Sequence, residues 1–198
     1  MDVDTVLARV AEVAGRPAAA NGRRQPATPA PRESEDDRPD PHDRELFSER
    51  EVLKVALQRP VLAGPVFDGL EPEMFTSPAY RLVRAAIASA GGCATVTTGT
   101  AWIQAVTSAA PNDFIKGLAT ELAVEPILID REVDQRYVSM QLATLQERAV
   151  GRRLNEVKSR LQRMNPLEQA DDYHKLAGEL FALEQYRRAL REQAIGAL

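Results

Sequence analysis

Apolar residues recur at helical spacing through the last third of the chain. Those at successive intervals of four, three, four and three residues are Val150, Leu154, Val157, Leu161 and Met164. This spacing forms one narrow stripe on an α-helix, which is typical of two helices packed side by side. Asp130, Glu132 and Asp134 stand where the helix dipole favours acids, and basic residues crowd the other end. The pattern predicts a long helix from Asp130 to Met164.

A second helix is predicted directly after it. Pro166 suits the first turn of a helix, and Asn165 before it is a suitable N-cap. The leucines at matching spacing are Leu176, Leu180, Leu183 and Leu190. Two successive helices with facing apolar stripes predict a C-terminal helical hairpin over residues 151–198. Gly151, which costs about 1 kcal/mol relative to alanine inside a helix, marks the expected border with the preceding domain.

Residues 43–150 show the same periodicity in shorter segments that proline and glycine separate. Pro60 and Gly91–Gly92 end two of these segments, and Ser77 followed by Pro78 begins one. The expected core comprises Phe47, Leu53, Leu57, Phe67, Phe75, Leu82, Ile87, Trp102, Phe114, Leu118 and Tyr137. The predicted fold class is all-α, a helical bundle followed by a long helix and a C-terminal helical hairpin.

The N-terminal part of the chain differs from the rest. Residues 1–15 predict one short amphipathic helix, because five apolar residues share a face. Residues 16–42 contain six prolines and no aromatic or β-branched apolar residue. Such a segment cannot bury enough apolar surface to offset the entropy of ordering, so it predicts a disordered linker.

Composition excludes several kinds of function. The net charge of −4 leaves no overall basic footprint for nucleic acid. No apolar run approaches the length of about 20 residues that a membrane span requires. The single Cys93 excludes an internal disulfide and any multi-cysteine zinc site, and a reducing cytoplasm fits it. We therefore expect no catalytic, cofactor-binding or metal-binding residue in this chain.

Apolar side chains remain on the last helix after the leucine stripe has been assigned. Because Phe181 and Tyr186 fall outside that stripe, they are available for another surface, with arginines beside them. Aromatic residues and arginine are common energetic centres of protein interfaces. The predicted partner-binding residues are Phe181, Tyr186, Arg187, Leu190, Arg191 and Ile195.

The segment from Glu49 to Ile87 contains a recognisable succession of motifs. A predicted helix is followed by Gln58-Arg59-Pro60, then a short helical segment, then Phe75-Thr76-Ser77-Pro78-Ala79-Tyr80-Arg81. With the long helix and the hairpin, this succession resembles the C-terminal helicase-binding domain of bacterial DNA primases of the DnaG type. Residues 1–15 resemble the final helix of the primase polymerase core, and residues 16–42 the linker that follows it.

This resemblance implies a partner and a role. The partner is the hexameric replicative helicase of the DnaB type, and the role is to recruit and regulate priming at the replication fork in the cytoplasm. The resemblance also implies no catalysis in this fragment. Primer synthesis in that family belongs to upstream domains that use zinc and magnesium.

Alternatives stay open. The N-terminal domain of the replicative helicase shares the bundle, so a helicase-collar-like or loader-type adaptor would contain the same motif. A direct nucleic-acid-binding helical module is a further alternative. In some relatives the first bundle helix also holds the acidic tail of single-stranded-DNA-binding protein. Arg50 and Leu53 match that pocket, whereas Glu45 and Glu49 depart from it.

Overall fold

The computed structural model describes residues 38–96 and 99–195, which form seven α-helices and two 3₁₀ turns. The helices are α1 (Phe47–Gln58), α2 (Pro60–Ala63), α3 (Pro78–Ser89), α4 (Thr100–Ala109), α5 (Asp113–Val124), α6 (Gln135–Arg163) and α7 (Ala170–Ala194). The 3₁₀ turns are Pro72–Met74 and Cys93–Thr95. These ranges contain no β-strand, and the all-α prediction is confirmed. The predicted helix over residues 1–15 and the predicted linker up to residue 37 lie outside the described residues.

Three helices begin at a side-chain cap. The capping residues and the backbone N–H groups they bind are Ser77 with Tyr80 (3.4 Å), Asn112 with Ile115 (2.8 Å) and Asp134 with Tyr137 (2.8 Å). Each cap satisfies an N–H group that the first turn of a helix leaves without a partner. The start predicted at Ser77 and Pro78 is confirmed.

The long helix α6 begins five residues later than predicted. Asp130 and Glu132 lie in the connecting segment, and only Asp134 combines an extended backbone with the side-chain bond of a cap. The acidic run therefore extends over the connection as well as the helix start. Periodicity and dipole preference alone do not locate the first residue of the helix, because acidic residues are equally acceptable in the connecting segment and in the first turn.

The last helix also begins later than predicted. Asn165 Oδ1 accepts the N–H of Leu167 at 3.1 Å and so closes a separate turn. A bond to the N–H two residues on forms an Asx turn, whereas an N-cap binds two or three residues into a continuing helix. Helix α7 begins at Ala170, and its N-cap residue Gln169 makes no capping bond.

Helix α1 is the centre of the bundle. All residues from Ser48 to Leu57 are buried, because α1 packs against α3, α5 and α6. The expected core residues that are buried are Leu53, Leu57, Phe67, Phe75, Ile87, Trp102, Leu118 and Tyr137. Phe47 is 38% exposed, and Leu82 and Phe114 are only half-buried. Periodicity identifies the inward face of a helix, and it does not tell how far the neighbouring helices cover that face.

Helix α6 belongs to both the bundle and the hairpin. Its first half contributes Tyr137, Val138, Leu142 and Leu145 to the bundle core. From Val150 onward its apolar residues pack against α7. The two sets overlap along the helix, because Ala143 already packs with Leu190 of α7 while Leu142 and Leu145 belong to the bundle core.

The end of the predicted linker lies on the bundle. Arg38 Nη2 forms an ion pair with Glu121 Oε2 of α5 at 3.0 Å, and Pro39 is buried. The chain therefore enters the bundle along α5 before α1 begins.

Candidate interaction surface

An apolar seam holds the hairpin of α6 and α7 together. Its buried residues are Val150, Leu154 and Val157 on α6, and Leu176 and Leu190 on α7. Leu180 and Leu183 are half-buried beside them, and Leu161 and Met164 are half-buried toward the tip of the hairpin. Full burial of one such side chain contributes about 1.5–3 kcal/mol. The predicted seam is confirmed along its central part, and its packing is looser at the tip.

Ion pairs flank the seam on both edges. Arg153 Nη2 lies 2.7 Å from Glu179 Oε1, and Lys158 Nζ lies 3.0 Å from Glu184 Oε1. Glu179 and Glu184 are five residues apart, which separates them by about 140° around the helix. All four side chains are well exposed, so each pair contributes at most about 1 kcal/mol. The pairs therefore contribute more to the alignment of α7 along α6 than to the free energy of folding.

Arg187 lies at the base of the hairpin, over Gly151. Its Nε donates to Glu147 Oε1 at 2.7 Å, and Arg191 Nη2 lies 3.3 Å from the same oxygen. A Cβ at Gly151 would lie 3.4 Å from the Arg187 guanidinium, which is an ordinary van der Waals distance, so this contact does not depend on the absence of a side chain. Arg187, predicted to contact a partner protein, is thus bound within the hairpin.

Leu190 lies inside the hairpin as well. It is 4% exposed and packs with Ala143, Val150 and Leu154. A side chain buried in this way contacts no partner while the hairpin is closed. Leu190 therefore lies in the seam, as the leucine spacing predicts, and is not available for the partner contact also predicted for it. The reason is its position fourteen residues after Leu176, which returns it to nearly the same face of α7.

The exposed residues of α7 lie on two different sides of the helix. Phe181, Tyr186 and Ile195 are 66%, 48% and 73% exposed. At about 100° per residue, Phe181 and Tyr186 point about 140° apart, so they do not form one patch. Arg188 and Ile195 follow Phe181 by seven and fourteen residues and return to its side. We call Phe181, Arg188 and Ile195 the outer stripe.

A network of charged side chains lies inside the bundle. The buried residues on α1 are Glu49, Arg50, Glu51 and Lys54, each no more than 3% exposed. Arg50 donates to Glu121 Oε1 at 2.6 Å and to the Tyr80 hydroxyl at 3.0 Å, and its Nε donates to Glu125 at 3.0 Å. These bonds connect α1 to Tyr80 of α3 and to Glu121 and Glu125 at the C-terminal end of α5.

The other members of the network are also paired. Lys54 forms an ion pair with Glu51, which accepts a hydrogen bond from the Tyr137 hydroxyl at 3.1 Å. Glu49 accepts the backbone N–H of Thr76 at 2.7 Å. The network therefore positions helices. Sequence reasoning missed this network, because charged residues are normally assigned to the surface. The one signal is that acids and bases from Glu49 to Lys54 do not gather on a single polar face of α1.

The network keeps Arg50 charged and inaccessible. Burial alone would lower the pKa of Arg50, but hydrogen bonds to Glu125 and Tyr80 outweigh it and raise that pKa. Burial alone would raise the pKa of Glu125, but the bond from Arg50 and the charge of Lys54 lower it. Arg50 and Leu53 are 3% and 0% exposed. The two residues that match the acidic-tail pocket of relatives are thus closed to a second protein.

Groups that support catalysis do not converge in the described part of the chain. Residues 38–96 and 99–195 contain no group of three His, Cys, Asp or Glu side chains that could hold a metal ion. Cys93 is buried, and burial together with the charge of Asp68 raises the pKa of its thiol to about 12. His174 lies exposed against the ring of Tyr173. None of the described helices is long and apolar enough to cross a membrane.

Comparison with known proteins identifies relatives of the whole domain. The DNA primases of Mycobacterium leprae (strain TN) and Mycolicibacterium smegmatis (strain ATCC 700084 / mc(2)155) are 47% and 48% identical to this chain over 98% of its length. The chain spans about a third of the length of these curated relatives, 32% and 31%.

A solved structure and a family model agree with these relatives. The helicase binding domain of primase from Mycobacterium tuberculosis is 50% identical with a TM-score of 0.64, and the match covers 76% of this chain and 94% of that one. The family model described as DNA primase DnaG DnaB-binding matches residues 49–176. That match includes the bundle, α6 and the start of α7, which is well over half of the chain. The chain therefore belongs to the DnaB-binding family of the DNA primase DnaG.

Proposed function

We propose that this chain binds the hexameric replicative helicase of the DnaB type through its helical hairpin. The outer stripe of α7 carries this proposal. Phe181 is exposed on α7 and Ile195 is exposed at the C-cap of that helix, with Arg188 between them. The buried seam holds the opposite side of the helix. An aromatic, an aliphatic and an arginine side chain on a rigid element have the composition of an interface centre. Membership of the DnaB-binding family supports the helicase as the partner.

We infer that the chain acts as part of a longer DNA primase. In this role it brings priming to the replication fork in the cytoplasm and regulates it there. Since the chain spans about a third of its curated relatives, primer synthesis would reside in the remaining part. Zinc and magnesium, which the catalytic domains of the family use, would also be bound there. In this proposal the chain itself contributes binding and no catalysis.

Other partners receive less support from the same observations. Arg50 and Leu53 would form the pocket for the acidic tail of single-stranded-DNA-binding protein. Both side chains are buried, so they are not accessible to that tail. On the hairpin, Arg153, Lys158 and Arg187 are paired with carboxylates, which reduces the positive charge available to a polynucleotide. The net charge of −4 acts in the same direction. A helicase adaptor is therefore the function that the surface favours.

The outer stripe can be tested by a double substitution, Phe181→Ala with Ile195→Ala. We expect the affinity for the hexameric helicase to fall at least about tenfold, because truncation of a hot-spot residue costs about 2 kcal/mol or more. Calorimetric titration of the helicase with the parent and the variant measures this. The matched control is Val124→Ala with Leu128→Ala, which removes two apolar side chains that are 77% and 64% exposed on the bundle.

The outcomes separate the claims. Equal binding by the Phe181/Ile195 variant and the parent would show that the outer stripe is not the contact. Loss of binding in both double variants would indicate a broader interface that includes the bundle. A parent chain that does not bind the helicase at all would overturn the proposed function. Circular dichroism of each variant checks that the helices remain folded.

A further inference from the structure

A groove of about 540 Å³ runs between the bundle and the hairpin. Its floor is apolar and consists of Met74, Ala149, Val150 and Leu183. Its rim carries Glu71 and Glu73 on the bundle side, and Arg152, Arg153 and Glu156 of α6 on the other. We call it the junction groove. It joins the turn Pro72–Met74 to both helices of the hairpin, so any segment that fills it contacts both parts of the molecule.

The walls of the junction groove are held by directed bonds. Arg152 Nη2 donates to the carbonyl oxygen of Met74 at 2.5 Å and so ties α6 to the bundle turn. Arg153 is bound to Glu179 of α7 at 2.7 Å and to Glu156 at 3.3 Å. Both arginines are thus occupied by groups of this chain. The groove is a preformed feature of the packing, which lowers the entropy that a ligand must lose on binding.

The rim carries negative charge without a partner. Neither the Glu71 nor the Glu73 carboxylate has a hydrogen bond or an ion pair within the part of the chain that the structure describes. Both residues are exposed and lie two positions apart beside the apolar floor. An apolar floor next to two unpaired carboxylates is complementary to an apolar side chain with a neighbouring lysine or arginine. A polynucleotide would be repelled by these two carboxylates.

Tyr186 lies on α7 just beyond Leu183, outside the residues that line the junction groove. It follows Leu183 by three residues and Glu179 by seven, so it lies on the edge of α7 that faces Arg153. Its ring is 48% exposed. Tyr186 is one of the predicted partner-binding residues that the outer stripe does not include.

We propose that the junction groove binds a segment of the helicase by an apolar side chain that enters between Met74, Val150 and Leu183. A lysine or arginine of the same segment pairs with Glu71 and Glu73 at the rim. The inference rests on the proposed function and adds a second contact, on the side of α7 away from the outer stripe. The groove makes the relative position of bundle and hairpin part of the recognition, since both supply its walls.

Charge reversal at the rim tests the proposal. With the full chain and the hexameric helicase, the substitution Glu71→Lys with Glu73→Lys is expected to weaken binding at least about tenfold. The matched control is Asp130→Lys with Glu132→Lys, which changes the net charge equally at two exposed acids that are also two positions apart. We expect the control to change the affinity less than about twofold, as a remote exposed charge does at physiological salt.

A filled groove gives an independent measurement. The substitution Ala149→Phe places a ring over the floor without altering charge, and it is expected to weaken helicase binding while circular dichroism stays unchanged. Parent-like affinity of both the rim and the filled-groove variants would overturn the inference. If those variants bind normally while the Phe181/Ile195 variant does not, the helicase proposal stands without the groove. Equal weakening by the rim variant and its control would reduce the effect to net charge and also contradict the groove.

Discussion

Gly151 and Gly178 are both interior residues of long helices, and their surroundings differ. A Cβ at Gly178 would meet no atom within 4 Å, so this glycine serves no contact in the described structure. A Cβ at Gly151 would lie 3.4 Å from the guanidinium that pairs with Glu147. A glycine in a helix loses more conformational freedom on folding than alanine does. At position 151 this cost accompanies the close approach of Arg187.

We therefore expect Gly178→Ala to stabilise the chain by about 1 kcal/mol, which is the difference in helix propensity. Gly151→Ala is expected to gain a similar amount, because a Cβ at 3.4 Å from the Arg187 guanidinium is at ordinary van der Waals distance and leaves the pair with Glu147 in place. Urea denaturation followed by circular dichroism measures both. A clearly smaller gain at position 151 would contradict this expectation and show that a Cβ there disturbs the pair of Arg187 with Glu147.

Helices α1 and α5 are joined by charged groups as well as by apolar packing. Arg50 on α1 and Glu125 at the end of α5 are hydrogen-bonded at 3.0 Å, and Lys54 Nζ lies 3.2 Å from the same carboxylate. The pKa of Glu125 is lowered in the folded chain. A carboxylate whose pKa is lowered by folding stabilises the fold above its unfolded pKa of about 4.3, and this contribution is lost as the pH falls through the folded pKa.

Glu125→Gln is expected to destabilise the chain by about 2 kcal/mol at pH 7, since it replaces a charged acceptor with a neutral one. The difference from the parent should narrow as the pH falls below the unfolded pKa of about 4.3 and through the lowered pKa of Glu125 in the folded chain. Denaturation at a series of pH values between neutral and acid measures this, with Glu132→Gln as the exposed control. A difference that stays constant over this range would contradict the assigned role of Glu125.

Two apolar clusters organise the molecule. The bundle cluster draws on α1 to α6 and contains no residue of α7. The hairpin cluster consists of Ala143, Val150 and Leu154 on α6 with Leu190 on α7. The long helix α6 connects the two. The bundle therefore has its own core, while the hairpin requires both of its helices.

Removal of residues 170–198 is expected to leave a folded bundle that no longer binds the helicase. The bundle loses none of its buried core residues, whereas Val150, Leu154 and Val157 lose their partners on α7. A cooperative thermal transition by circular dichroism, together with titration of the helicase, measures both expectations. Size-exclusion chromatography should show some self-association through the uncovered stripe. A truncated chain without a cooperative transition would mean that the bundle depends on α7.

Much of the local structure could be predicted from the sequence. Helical periodicity indicated the all-α fold and the seam of Val150, Leu154 and Val157, and Ser77 with Pro78 indicated the start of α3. These features depend on residues a few positions apart, so short-range spacing determines them. The separation of Phe181 and Tyr186 around α7 also follows from spacing alone, once the segment is known to be a continuous helix.

Only the tertiary structure decided which polar residues are inside. Arg50 meets Glu121 and Glu125 because α5 packs on α1, and those partners are more than 70 positions away in sequence. Arg187 meets Glu147 because α7 packs back along α6 as far as Gly151. The same packing forms the junction groove, which combines segments from three parts of the chain. Periodicity along a helix carries no information on such pairings, because the free energy of a buried charge depends on which distant group faces it.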